Sequence, residues 1–352
     1  MIRRGPVFIA LLLATPGCAS PAGSDAPLAP ERIAALERRA QPPERLGLSL
    51  RRRPDGSQYL ADARGMLPGA RVAAPLLTAP FQPARFPVVR TRLNGRLVLA
   101  LVDTGSTMTL IEEPAARRVG LAPIGPPLVR QKGQSLGGDE EYILALAAAM
   151  QIGGAEVRKA PFGIVDSRRG LYPLCRIEGY RVEAVLGCDF LHAFAWVSVD
   201  YPREVFRASW GGTYEPASGH VVASAPLVNV FGLPAVEATV GEGRNIRVVL
   251  DTGGDFGLWI PRGLAGRMKL PELADTTGTS LSATPGGEAV YKPIASRDVE
   301  FGGHVFEDVP AIAAMLNFGD KDTPYVLLGN HVLKDYIVSV DYGAKRVYLE
   351  KP

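Results

Sequence analysis

The apolar residues of this chain fall into short runs separated by turn residues, and two of those runs end alike. The first passes Leu93-Asn94-Gly95-Arg96, continues as Leu97-Val98-Leu99-Ala100-Leu101-Val102 and stops at Asp103-Thr104-Gly105. The second turns at Gly241-Glu242-Gly243, continues as Ile246-Arg247-Val248-Val249-Leu250 and stops at Asp251-Thr252-Gly253. Each follows another apolar stretch, Phe86-Pro87-Val88-Val89 in one and Leu233-Pro234-Ala235-Val236 in the other. Two apolar runs around a polar turn predict a β-hairpin. Each copy therefore predicts a hairpin whose second strand delivers an aspartate into a glycine turn.

Further landmarks repeat in the same order and at nearly the same spacing. Gly137-Gly138 matches Gly286-Gly287, and Gly153-Gly154 matches Gly302-Gly303. Ala184-Val185-Leu186-Gly187 matches Val326-Leu327-Leu328-Gly329. Val197-Ser198-Val199-Asp200-Tyr201 matches Val338-Ser339-Val340-Asp341-Tyr342. An ordered set of this kind marks a duplicated unit of mostly short strands. The expected division is an N-terminal lobe over 58–210, a linker over 211–224 rich in Gly, Ser and Pro, and a C-terminal lobe over 225–352. After each triplet, a strand end followed by a short helix is expected, near Pro114 to Leu121 and Pro261 to Leu270. Asp200 and Asp341 read as turn formers.

The start of the chain reads differently. Arg3 and Arg4 precede an apolar run, Val7 to Leu13, too short to span a bilayer, so residues 1–18 predict an export signal. The run leads to Gly17-Cys18, which resembles a bacterial lipobox and makes Cys18 the expected lipidation site of a periplasmic, membrane-tethered lipoprotein. A plain secretory signal cut near Ala19 or Ser20 is the alternative. Residues 19–57, rich in Pro, Ala and Arg, predict a tether with one short helix over Glu31 to Arg39.

Composition narrows the chemistry. A net charge of +3 over 352 residues does not point to a nucleic-acid partner. The four histidines and three cysteines show no metal-ligand spacing, so no metal or cofactor is expected. With Cys18 lipidated, Cys175 and Cys188 either pair in an oxidising compartment or stay as two small apolar residues.

A carboxylate at the end of a buried strand is costly unless it is hydrogen-bonded or protonated. A glycine two residues later lets the chain turn sharply and leaves room for a close neighbour. Two such ends set face to face bring Asp103 and Asp251 into contact, where they share one proton. The ionised partner takes a proton from water and the protonated one donates to a carbonyl oxygen.

Asp103-Thr104-Gly105-Ser106-Thr107, Asp251-Thr252-Gly253-Gly254-Asp255 and the two apolar-apolar-Gly segments resemble the aspartic peptidases of the pepsin/retropepsin type, in their bacterial single-chain branch. Gly187-Cys188-Asp189-Phe190-Leu191 is especially similar, and Gly329-Asn330-His331-Val332-Leu333 departs from the pattern after its glycine. The resemblance implies an all-β, bilobal acid-protease fold: two pseudo-twofold-related, β-barrel-like lobes with the active-site cleft between them. It implies peptide or protein substrates, hydrolysis by water, and an active site complete in a monomer. Asp103 and Asp251 become the expected catalytic pair, supported by Thr104, Gly105, Ser106, Thr252, Gly253 and Gly254. A hydroxyl at Ser106, absent at Gly254, is expected to bond the neighbouring carboxylate and keep Asp103 the ionised partner. Flap hairpins are expected over Gln134 to Leu144 and Ser280 to Tyr291, with tips at Gly137-Gly138 and Gly286-Gly287. Tyr142 and Tyr291 are either flap residues or strand residues with the hydroxyl in water. The alternative for the whole chain is a ligand-binding or envelope-tethering lipoprotein on a degenerate scaffold.

Overall fold

A computed structural model describes residues 30–52, 58–61, 65–66, 71–77, 85–135, 138–165, 176–177, 180–217, 219–270, 280–284, 287–314 and 325–352. Cys18, Cys175, Gly137 and Gly286 lie outside the described residues, as does the export signal.

The fold is mostly β, with two barrel-like lobes built to one plan. In the first, Val88–Leu93 and Arg96–Val102 pair as the expected hairpin. Its turn is tight because Asn94 and Gly95 both take positive φ, 49° and 81°. Ala184–Leu186 then lies parallel to the end of the Arg96–Val102 strand, pairing Leu186 with Val102. Leu110–Glu112 runs antiparallel to that strand and parallel to the end of Ala155–Val165. The second lobe repeats each step. Leu233–Val240 pairs with Gly243–Leu250, Tyr325–Leu328 lies parallel to the latter, and Leu258–Pro261 joins Tyr325–Leu328 to His304–Ala314. The strands that carry the aspartates are buried on both faces, with Leu99 and Leu101 in one side cluster and Val249 in another, which is why they read as continuous apolar runs. Val98, Ala100, Val102, Val248 and Leu250 all belong to the main core. The short helices occupy Glu113–Arg118 and Arg262–Arg267.

Among the described residues, six strands at one end of a 15-stranded sheet join the lobes, in the order Val221–Pro226, Arg346–Glu350, Ile337–Asp341, Trp196–Asp200, Val205–Ser209, Arg71–Leu77, the last continuing into Val88–Leu93. At the centre of these six the matched Val-Ser-Val-Asp-Tyr segments pair with each other in antiparallel register, Ser198 opposite Ser339. The Ser339 hydroxyl donates to Ser198 Oγ at 2.9 Å. Equivalent residues facing each other locate the pseudo-twofold axis at this pair. The segment expected as a linker therefore ends inside a strand, since Val221 to Ser224 pair with the last strand of the chain. Its earlier part is pinned: the Tyr214 N–H donates to Asp341 at 2.7 Å, and the Ala217 N–H donates to Glu350 at 2.8 Å. Asp200 and Asp341 hold turns as expected, accepting from the Arg203 N–H at 2.9 Å and the Ala344 N–H at 2.7 Å.

The described part of the expected tether is built into the first lobe. Helix Pro30–Glu37 puts Leu36 into the main core. Gln41 bridges to Ile124, its N–H donating to Pro123 O and its carbonyl accepting from Gly125. Leu48 packs in a cluster with Leu110, Ile124, Tyr142 and Val185. The segment lacks a sustained apolar pattern because it meets the lobe through isolated side chains and a bridge. Leu36→Ala is expected to lower stability by about 2–5 kcal/mol, the usual range for deleting a buried leucine, read as a lower urea midpoint. A solvated tether would leave the midpoint unmoved.

Candidate active site

Asp103 and Asp251 stand at the ends of the two long apolar strands, 7% and 6% exposed. The Asp103 N–H donates to Leu186 O at 3.1 Å, and the Asp251 N–H to Leu328 O at 2.9 Å. Each aspartate is thus fixed by the apolar-Gly segment of its own lobe. A side chain is excluded at Gly187 and Gly329: a Cβ there would lie 2.3 Å from Met108 O and 2.4 Å from Phe256 O.

The two Asp-Thr-Gly loops interlock through their threonines. Thr104 N–H donates to Thr252 Oγ1 at 3.0 Å, and Thr252 N–H donates to Thr104 Oγ1 at 3.1 Å. Each hydroxyl then donates across the interface, Thr252 to Val102 O at 2.7 Å and Thr104 to Leu250 O. These reciprocal bonds place the axis of the Ser198–Ser339 pair between the aspartates as well.

The carboxyls cross to face the opposite loop. A Cβ on Gly105 would sit 2.2 Å from Asp251 Oδ1, and one on Gly253 would sit 2.3 Å from Asp103 Cγ. Only glycine allows this approach, the role assigned to both from the sequence. The Gly105 N–H donates to Asp103 Oδ1 at 2.8 Å, and the Gly253 N–H to Asp251 Oδ1 at 2.9 Å. Burial and the neighbouring Asp103 charge hold the Asp251 carboxyl well above the usual carboxylate range, against the pull of the Gly253 and Gly254 N–H groups. A hydrogen bond between the two carboxyls acts in the same upward direction.

The raised proton affinity has a thermodynamic sign. Folded Asp251 binds its proton more tightly than unfolded Asp251, so stability falls as pH rises from the ordinary aspartate range near ~3.9 towards the folded value. Asp251→Asn, a neutral isostere, is therefore expected to melt at higher temperature than the native chain at pH 7. The gap should close as pH falls towards about 4, where both states hold the proton. An unchanged or lower melting temperature at pH 7 would contradict the shared-proton arrangement.

Ser106 departs from expectation. Its hydroxyl donates to Met108 O at 2.8 Å, so its single proton serves the loop and not Asp103. Cys188 is free and buried, with its thiol donating to Thr104 O at 3.3 Å, while Cys175, the other half of the expected pair, lies outside the described residues. Burial and the charges of Asp103, Asp189 and Asp251 push this thiol well above the ordinary thiol range and keep it protonated. Asp189 accepts from Thr109 Oγ1 at 2.6 Å, and Thr109 Oγ1 accepts from the Gly187 N–H, which makes Asp189 a brace for the loop.

Hairpins form where flaps were expected. Arg130–Ser135 pairs with the start of Gly138–Ile152, and Ser280–Thr284 pairs with the start of Gly287–Phe301. Gly138 faces Ser135 and Gly287 faces Thr284, at the ends of the two hairpins. Tyr142 is buried, and its hydroxyl donates to Gln131 Oε1 at 3.2 Å instead of to solvent. Tyr291 pairs with Ser280 and is half-buried. Tyr201 and Asn330, both buried against the Asp-Thr-Gly loops, had no role assigned from the sequence. The signal was present, since Tyr201 follows the repeated Val-Ser-Val-Asp and Asn330 follows the second apolar-Gly segment.

A search of curated proteins finds no match. Among solved structures, an aspartic proteinase from Irpex lacteus superposes with a TM-score of 0.51 at 14% identity, covering 80% of this chain and 97% of that one. That likeness is one of fold. The family model described as "Aspartyl protease" matches residues 89–190 and 236–332, which takes in both aspartates, both glycine turns and both apolar-Gly segments, more than half of the chain. The chain belongs to the aspartyl protease family.

Proposed function

We propose that this protein is an aspartic endopeptidase in which Asp103 and Asp251 activate a water between them. The observation that carries the reading is the crossed contact of two buried carboxyls, each against the other loop's glycine. With Asp251 holding the shared proton, Asp103 is the base. It takes a proton from the water as the oxygen attacks the peptide carbonyl carbon. Asp251 donates its proton to the carbonyl oxygen, giving a neutral tetrahedral diol. Collapse of the diol breaks the C–N bond. The leaving nitrogen takes the proton now on Asp103, and Asp251 recovers one from a diol hydroxyl. The pair returns to its starting state without a covalent intermediate.

The test is incubation of the purified protein with a mixed library of peptides blocked at both termini. Internal cleavage is expected, and a statine-type inhibitor, whose hydroxyl mimics the diol, should suppress it. Cleavage of the same peptides only when their termini are left unblocked would remove the endopeptidase assignment. Cleavage indifferent to the inhibitor would remove the aspartic mechanism.

A further inference from the structure

The two catalytic loops are near copies, yet what lies behind them differs. Behind Asp251, the Tyr201 hydroxyl donates to Asn330 Oδ1 at 2.5 Å, and Asn330 Nδ2 donates to Thr252 O at 2.6 Å. That carbonyl belongs to the peptide unit whose N–H, on Gly253, donates to Asp251 Oδ1 at 2.9 Å. The result is an unbroken chain from a phenol through an amide and a peptide plane to the carboxyl. Tyr201 and Asn330 are buried, 1% and 0% exposed, so no solvent shunts it.

The twofold-related positions hold Tyr342 and Cys188. Cys188 Sγ reaches Thr104 O at 3.3 Å, and the Gly105 N–H of that peptide unit reaches Asp103 Oδ1. A thiol is a weak donor and a weak acceptor. The Tyr342 hydroxyl, whose titration feels Cys188, is buried without a hydrogen-bond partner among the described residues. The chain is therefore complete behind Asp251 and broken behind Asp103. The tyrosines are exchanged between halves: Tyr201, from the first copy, serves the second loop, and Tyr342 lies behind the first.

We propose that Tyr201 and Asn330 are positioning residues that polarise the Thr252–Gly253 peptide toward Asp251, and that the Asn330/Cys188 difference makes the catalytic pair asymmetric. Donation to the Thr252 carbonyl strengthens the Gly253 N–H as a donor, because linked hydrogen bonds polarise one another. A stronger donor favours the charged form of Asp251. The chain thus offsets part of what burial and Asp103 do. It keeps the proton of the pair transferable, so that Asp251 can release it to a substrate oxygen. The other titratable groups near the pair are Asp103 in the facing loop, Cys188 and Asp189 in the short helix after Gly187, Tyr342 beyond Cys188, and the exposed Asp255 on the Asp251 loop itself. None of them is altered in Tyr201→Phe or Asn330→Cys.

This inference rests on the proposed aspartic mechanism, so its test needs a readout that does not depend on cleavage. Carbon-13 carboxyl NMR titration of the pair, assigned with Asp103→Asn and Asp251→Asn, provides it; the pH–rate profile on a blocked peptide is the second readout. Tyr201→Phe removes one hydroxyl, and Asn330→Cys converts the second loop to the arrangement of the first. Both are expected to raise the higher apparent pKa of the pair and move the basic limb to higher pH. The shift should be roughly 0.1–0.7 of a unit for Asn330→Cys, from a polarisation of about 10–30% per bond acting on a charge-assisted hydrogen bond, and smaller for Tyr201→Phe, which acts one bond further away. Cys188→Asn adds the missing link behind Asp103, gives Tyr342 a partner, and should lower the lower apparent pKa. It carries the test by gain should the other two fail to fold. Lowered activity with both apparent pKa values unmoved in the folded variants would overturn the proposal, as would shifts of the opposite sign. Expected carboxyl shifts in a protein that cleaves no peptide would uphold the chain and reject the peptidase reading.

Discussion

Asp103→Asn and Asp251→Asn are each expected to abolish peptide hydrolysis while leaving the fold intact. Each variant keeps the shape of the carboxyl and its glycine N–H contact, so the strands that deliver it are not disturbed. What is lost is one of two inseparable jobs. In the proposed mechanism nothing takes the proton of the water without Asp103, and nothing protonates the carbonyl oxygen without Asp251. General acid or base removal costs about 10²–10⁴-fold, and groups that act as a unit lose nearly everything when either goes. The double variant should therefore be scarcely worse than either single one. Turnover on a blocked peptide, measured beside a melting curve, checks this. If either variant retains near-native turnover, the reaction does not run through the pair.

The candidate site was legible because its determinants are local. An apolar run that stops at Asp-Thr-Gly states a buried strand, a carboxylate and a close approach in three residues, and the copy at 251–253 states the partner. The glycines at 187 and 329 were readable for the same reason, each being required by a backbone contact under 2.5 Å from a Cβ. Other features are decided by what a residue meets. Val197 to Tyr201 and Val338 to Tyr342 were visible as equivalents, but only the fold pairs them with each other and makes one sheet of both halves. Leu36 is an unremarkable leucine in a Pro- and Arg-rich stretch until the first lobe supplies the surface that buries it. The Ser106 hydroxyl had two acceptors within reach of the chain, and the turn delivers it to Met108 O. Asn330 looked like a weakening of the family pattern. In the structure it is the residue that joins Tyr201 to the Thr252 carbonyl.

The second large effect concerns the interlock beneath the carboxyls. Thr252→Val keeps the size of the side chain and removes its hydroxyl. The Thr104 N–H and the Val102 carbonyl then lose their partner together, in a place where both threonines are shielded from water, at 2% and 0% exposure. Each unsatisfied buried group costs about 1–3 kcal/mol, so the pair predicts a loss of roughly 2–6 kcal/mol. Because these bonds are the direct link between the loops, the loss also frees one aspartate to move relative to the other. A displacement near 1 Å in such a geometry costs on the order of 10²-fold in rate. Thr252→Ser keeps the hydroxyl and removes only a methyl group, so it should retain most of the stability and most of the turnover. The urea midpoint and turnover of the two variants, compared with the native chain, separate the hydroxyl from the methyl. Equal behaviour of Val and Ser at this position would mean that packing, and not the reciprocal hydrogen bonds, holds the two loops in register.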